Sequence, residues 1–186
     1  LDSKITVPFC PESKLSGIGL TDYLNCVWYL KRVYIENCDK RVILHFGAVD
    51  QVCTVIVNGE KISCHEGGYL PFDVDITAFV KNGKNSIAVQ VSDTLNHSFG
   101  WGKQRVDRGG MWYTPISGVW QPVWLEQVPD AYIENIRLTP ALDSVKIDIM
   151  GGTGDYTMTV QTPDGADTVT FTGNSYTYTP KTAMLW

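Results

Sequence analysis

The chain has 186 residues, 44% of them hydrophobic, and 15 Lys and Arg against 20 Asp and Glu give a formal charge of −5 at pH 7. That hydrophobic share suits a folded protein and argues against disorder. The acidic balance, with no basic run, gives no footing for nucleic acid or an anionic membrane, and no apolar run approaches the roughly 20 residues a spanning helix needs.

The sequence opens on Leu1 rather than Met and carries no basic-apolar signal segment, so a trimmed start is expected. Ile5 and Val7 suggest a short strand, which Pro8 and Pro11 then interrupt. Residues 26–36, CVWYLKRVYIE, make a stronger strand, with Trp28, Leu30 and Arg32 on one face and Tyr29, Lys31 and Val33 on the other.

From Val42 to Asp93 the chain reads as an antiparallel meander. Asn58-Gly59 and Asn82-Gly83 stand between β-rich runs, and Asn-Gly is a strong hairpin signal because a type I′ turn needs positive φ at both central residues. A further turn is expected at Glu66-Gly67-Gly68. Val55 and Val57 alternate with Thr54 and Ile56, Ile62 and Cys64 with Ser63 and His65, and Ile87, Val89 and Val91 with Ala88 and Gln90. Asp75 is placed to cap a short helical turn through Phe79. No segment sustains the apolar spacing of a long helix.

The five cysteines, Cys10, Cys26, Cys38, Cys53 and Cys64, form no CxxC and lie near no paired histidines. This suits thiols in a reducing, cytoplasmic compartment better than a disulfide frame or a zinc site. Cys53 and Cys64, within strand runs, are expected to be buried. No residue cluster specifies a metal or cofactor, and none is expected.

Thr94 to Ser117 lacks periodicity and far exceeds the usual connection of about 4–6 residues, as functional loops do. Trp101 and Trp112 argue that it is ordered. A strand then starts at Gly118-Val119-Trp120, with Pro122 marking an edge or a bulge. Pro129-Asp130 is a plausible boundary. Beyond it come IENIRLTP, VKIDIMG, YTMTVQTP, DTVTFTG and SYTYTP, five strand patterns with turn signals between them at sandwich spacing. The apolar end Met184-Leu185-Trp186 is expected to be buried, so the second domain reads as cut within its fold.

VPFCPESKLSGIG (7–19), VWYLKRV (27–33), VNGEKI (57–62), GGYLPFDVDIT (67–77), NSIAVQVSD (85–93) and WYTPISGVWQPVWLE (112–126) together resemble the sugar-binding domain of glycoside hydrolase family 2. That family includes β-galactosidases, β-glucuronidases and β-mannosidases. The resemblance implies an all-β chain: a jelly-roll, galactose-binding-like β-sandwich over 1–128, then a partial immunoglobulin-like β-sandwich over 129–186. It also implies a catalytic (β/α)₈ barrel, absent from this sequence, that would carry both catalytic glutamates, one of them after an Asn. There is no Asn-Glu dipeptide here and no room for a barrel of about 250 residues. The chain is therefore expected to hold no catalytic residue of its own and to meet its carbohydrate, a β-glycoside, through a parent retaining hydrolase. Two alternatives stay open: a free-standing carbohydrate-binding module and a structural β-sandwich adaptor.

The resemblance directs Asp93, at the end of a strand, toward the barrel's sugar site, where its carboxylate would accept sugar hydroxyls; an Asx-turn opening the loop is the competing role. Asn96 and His97 suit polyol recognition and ordinary loops alike. Trp101, Trp112 and Tyr113 offer flat faces for sugar C–H groups or anchors for the loop. Lys103, Arg105 and Arg108 suit an acidic sugar or local pairing with Asp107. Trp28, Trp120 and Trp124 are expected in the core or between domains, and the Thr-rich tail as a solvated strand face.

Overall fold

The computed structural model describes residues 3–37 and 39–182. Cys38 and the closing AMLW segment, on which expectations above fall, lie outside the described residues. The chain divides into two compact units, Leu1–Val128 and Pro129–Trp186. Both are all-β, and the described helical residues are two 3₁₀ turns, Lys14–Ser16 and Thr77–Phe79.

The first unit contains β1 (Cys26–Ile35), β2 (Arg41–Phe46), β3 (Val49–Asp50), β4 (Val52–Val57), β5 (Glu60–Glu66), β6 (Phe72–Asp75), β7 (Gly83–Ser92), β8 (Gly118–Val119) and β9 (Val123–Val128). They form a four-stranded sheet in the order β1-β7-β4-β5, a three-stranded sheet β6-β2-β9 and the short pair β3-β8. One core joins the two larger sheets. Val42, Leu44, Phe46 and Val74 from one meet Cys53, Val55, Val57, Val89 and Val91 from the other. Each such side chain contributes about 1.5–3 kcal/mol by burial.

This arrangement corrects the expected meander over Val42–Asp93. Only β4 and β5 form a hairpin there; β2 and β6 belong to the opposite sheet, and β7 returns to lie between β1 and β4. The chain crosses between the layers at β1–β2, β5–β6 and β6–β7, so that each layer buries one apolar face against the other. Asn58-Gly59 is the tight turn expected, with φ of 51° and 92°. Asn82-Gly83 is not a hairpin turn: Gly83 (φ 97°) opens β7 and pairs with Ile35 of β1.

A bulge also changes a face. In β5 the pairing runs Val55 to Ser63 but Ile56 to Lys61, so Ile62 is the extra residue. Ile62 packs on the core, whereas Cys64 pairs with outward Thr54 and is exposed, contrary to expectation. One inserted residue reverses which side chains point inward. Cys53 is fully buried, as expected.

A core place for two of the tryptophans and a strand at Ile5–Val7 do not hold. Trp28 and Trp124 are 60% and 50% exposed rather than in the core, because they alternate with inward neighbours on edge strands. Trp120 is half-buried and donates its indole N–H to Gly68 O at 2.8 Å. Ile5–Val7 forms no strand; Thr6 N–H instead bonds Ser16 O. Pro122 lies in the bend between β8 and β9, where its carbonyl accepts from Gly47 N–H at 2.9 Å.

Asp75 does serve the helical turn. Its Oδ1 accepts from Thr77 N–H and the Thr77 hydroxyl, while Oδ2 pairs with Arg41 at 2.9 Å. These donors hold its carboxyl below the usual range against the opposing effect of burial.

The second unit contains β10 (Ile133–Pro140), β11 (Val145–Gly151), β12 (Asp155–Thr162), β13 (Gly165–Thr172) and β14 (Ser175–Tyr178). β10-β11-β14 form one sheet and β12-β13 another. Ile147, Ile149 and Tyr178 make a small core, with Met158 and Phe171 packed on it. Thr157 faces Thr170 and Thr159 faces Thr168 on the exposed side of the β12–β13 hairpin.

Candidate functional site

The long connection between β7 and β8 is not structureless. Tyr113 N–H donates to Lys103 O at 3.1 Å and Arg105 N–H donates to Tyr113 O at 3.2 Å, so the loop is pinched into a lasso by its own backbone. Lys103 takes a left-handed conformation (φ 60°) at the pinch, after Gly102 (φ 63°). Three sequence candidates come together across the pinch, two from before it and one from within it. His97 stacks on Trp101 with centroids 4.2 Å apart, and Trp101 on Trp112 at 6.0 Å. The Arg105 guanidinium lies over Trp112 at 4.8 Å, extending the stack with a cation.

The other candidates sit apart from this stack. Asn96 Oδ1 accepts from Ser98 N–H at 2.9 Å, an Asx-turn. Tyr113 is 63% exposed. Arg108 is tied to Thr21 O at 2.7 Å. Asp93 is buried and its Oδ1 accepts from Leu95 N–H at 2.8 Å, so the carboxylate opens the loop by the Asx-turn. Its backbone is fixed as well, with Asp93 N–H on Asn25 O and the Tyr23 hydroxyl on Asp93 O.

Beneath the loop lies a set of buried polar residues that sequence reasoning missed: Glu12, Asp50, Gln104 and Ser117. Glu12 receives the Ser117 hydroxyl at 2.9 Å and the Ser117 N–H at 3.4 Å, joining positions 105 residues apart. Gln104 bonds the Asp50 carboxyl and uses its Oε1 to accept Ile116 N–H. Gly68 lies against Asp50, where a Cβ would stand 2.5 Å from Oδ1. Tyr69 packs on Gly100 and Gly102 and meets Trp120 edge-on at 6.1 Å. The local signals for these residues were those of turns and strand ends, and nothing in their spacing links them.

The electrostatics follow from this crowding. Burial, then the charges of Asp93 and Glu12, push the Asp50 carboxyl up to about 7, against the opposing Gln104 bond. Burial raises Asp93, opposed by the Leu95 N–H. Burial with the charges of Asp50 and Asp93 raises the Tyr69 hydroxyl. Among the described residues no three His, Cys, Asp or Glu side chains are arranged to hold a metal ion. The carboxyls therefore act as acceptors that clamp both ends of the loop, and the protonated form of Asp50 relieves their mutual repulsion.

A second polar cluster lies on the outer face of the β6-β2-β9 sheet. His45 Nδ1 is 2.7 Å from Asp73, Nε2 is 3.2 Å from Glu126, and the ring stacks on Trp124 at 4.8 Å. The register places all four residues side by side or diagonally across the three strands.

The family description "Glycosyl hydrolases family 2, sugar binding domain" matches residues 17–129. The chain is 35% identical over 119 residues to a beta-galactosidase of Thermoanaerobacter pseudethanolicus, covering 62% of this chain and 15% of that protein. It is 32% identical over 114 residues to a putative beta-glucuronidase of Formosa agariphila, covering 60% of this chain and 13% of that one. Among solved structures, a Faecalibacterium prausnitzii beta-glucuronidase superposes with a TM-score of 0.71 at 25% identity, over 95% of this chain and 35% of that chain. The apo Bacteroides uniformis beta-glucuronidase 3, at 24% identity, shares the fold with a TM-score of 0.77 over 99% of this chain and 26% of that chain. The chain thus spans about a third or less of the length of these relatives.

Proposed function

Because the chain belongs to glycosyl hydrolase family 2 by its sugar-binding domain, we propose that it is the non-catalytic sandwich region of a longer retaining β-glycosidase, bracing a catalytic barrel and lending it the 94–117 loop. The observation that carries this reading is the loop itself. It is held by buried Glu12, Asp50 and Asp93, braced within by Gln104, and keeps His97, Trp101 and Trp112 stacked. A preformed loop of aromatic faces and a cation suits the rim of a carbohydrate site, where positioning a sugar ring lowers the barrier without supplying the nucleophile. The chain's own buried carboxyls do not suit catalysis. Retaining hydrolysis needs two carboxyls about 5–5.5 Å apart on either side of a bound sugar, and Asp50, Asp93 and Glu12 are each less than a tenth exposed.

The test uses the longer protein encoded with this sequence, assayed on p-nitrophenyl β-galactoside and β-glucuronide. Trp101→Ala and Trp112→Ala are expected to lower kcat/KM about tenfold or more on the preferred substrate, on the order of 1.4 kcal/mol, with the thermal midpoint held. The 186-residue chain alone is expected to hydrolyse neither. Turnover by the chain alone, or loop variants with unchanged kcat/KM, would overturn the reading.

A further inference from the structure

The outer face of the β1-β7-β4-β5 sheet carries an unusual set of side chains. On edge strand β1 the inward residues Val27, Tyr29, Val33 and Ile35 serve the core, yet the outward positions are also apolar: Trp28, Leu30 and Tyr34 are each 60–68% exposed. A run of large exposed side chains on one strand is the mark of a contact surface. The run ends in a notch. β1 and β7 stay paired as far as Ile35–Gly83, but β4 leaves β7 at the Val57–Ile87 pair. The missing third strand leaves a cavity of about 580 Å³ bordered by Arg32, Tyr34, Asn58, Lys84 and Ser86.

The notch is rigid and positive. The Asn58 amide donates to Phe79 O and Asn85 Oδ1, and its Oδ1 accepts Ser86 N–H, so the turn forms a fixed wall. No carboxylate lines the cavity. Among the described residues Arg32 and Lys84 form no ion pair, in a chain whose net charge is −5.

We infer that this face is a second carbohydrate site, one that takes a carboxylate-bearing oligosaccharide: Arg32 and Lys84 pair with uronate carboxylates in the notch, and Tyr34, Leu30 and Trp28 carry the following rings. Arg and Lys are the side chains that bind exposed carboxylates, and aromatic faces bind sugar C–H groups. Trp28 and Tyr34, six residues apart on one strand, lie about 20 Å from each other, a track that several linked rings span. The site uses no residue of the 94–117 loop and does not depend on the role proposed for that loop.

The test is calorimetric titration of the 186-residue chain with tetragalacturonate, with cellotetraose and tetraglutamate as the neutral and the non-sugar anionic controls. Saturable tetragalacturonate binding is expected, weakened at least tenfold by Lys84→Glu and by Trp28→Ala, with both variants keeping the parent thermal midpoint. Absence of saturable binding at millimolar ligand overturns the inference. So does equal binding of cellotetraose or tetraglutamate, or loss of binding with Trp112→Ala rather than Lys84→Glu. Sedimentation showing a dimer that Trp28→Ala dissolves would assign the face to a second copy of the chain, and would overturn it as well.

Discussion

Asp50 shows what burial does to a single carboxyl. With Asp93 and Glu12 nearby and almost no water, its charged form is disfavoured and its proton is held up to about 7. The folded state therefore binds this proton more tightly than the unfolded chain. The contribution to stability is full at pH values below the ordinary carboxylate range and is lost as pH rises through about 7. A shift of about three pH units corresponds to at most about 4 kcal/mol. Asp50→Asn keeps an acceptor for Gln104 and removes the titration. Urea unfolding should show the variant more stable than the parent at pH 8.5, by on the order of 2–4 kcal/mol, with the gap narrowing as pH falls below about 7 and closing only below about pH 4. A gap independent of pH would count against this assignment. Gly118 is a second single-residue constraint. It has φ 83°, and a Cβ there would overlap the Tyr29 hydroxyl, which also accepts Val119 N–H at 3.1 Å. Gly118→Ala should cost roughly 2–4 kcal/mol. Tyr29→Phe in the same chain should recover the overlap with the hydroxyl but neither the close ring contact nor the backbone strain, which a double-mutant cycle by urea unfolding will resolve.

At the scale of elements, the bulge in β5 decides which thiol meets solvent. Cys53 lies opposite His65 on the inner face, and burial pushes its thiol up to about 12. Cys64 lies one residue along and faces out because Ile62 occupies the extra position. In native protein the reagent DTNB should label Cys64 quickly and Cys53 only on unfolding. Cys64→Ser should remove one fast equivalent, whereas Cys53→Ser should remove none; slow labelling of Cys64 in native protein would mean that β5 pairs without the bulge. Much of this element-level structure was legible in the sequence. The alternating valines of β4 and β7 marked strands with one buried face, Asn58-Gly59 marked the tight turn, and the five strands after Pro129 occupy the five segments expected. Each of those signals is local: a period of two, or a residue that tolerates positive φ. The bulge was not legible, because Ile62-Ser63-Cys64-His65 alternates correctly by itself. Only the pairing with β4 reveals which member of the series is extra.

For the whole molecule, composition and period established an all-β chain, and six separated segments established its resemblance to family 2, all without coordinates. The candidates of the long loop were legible by residue type. That His97, Trp101 and Trp112 stack, while Asn96 closes its own turn, was not, since loop residues carry no period from which a direction follows. Sheet membership was also beyond the sequence. Val42–Asp93 reads as neighbours pairing in order, whereas the fold sends β2 and β6 to one layer and β4, β5 and β7 to the other. The strand pattern states that a face must be buried but not against which partner, because any apolar face satisfies it. The buried set beneath the loop is the clearest case. Glu12 and Ser117 are separated by 105 residues, and Asp50 and Gln104 bond only because the first turn, β3 and the loop converge there. Sequence by itself therefore determined most of the strands, the inner faces of those without a bulge, and the family. Tertiary structure alone decided which carboxyls lie together out of water, because desolvation depends on neighbours in space rather than along the chain.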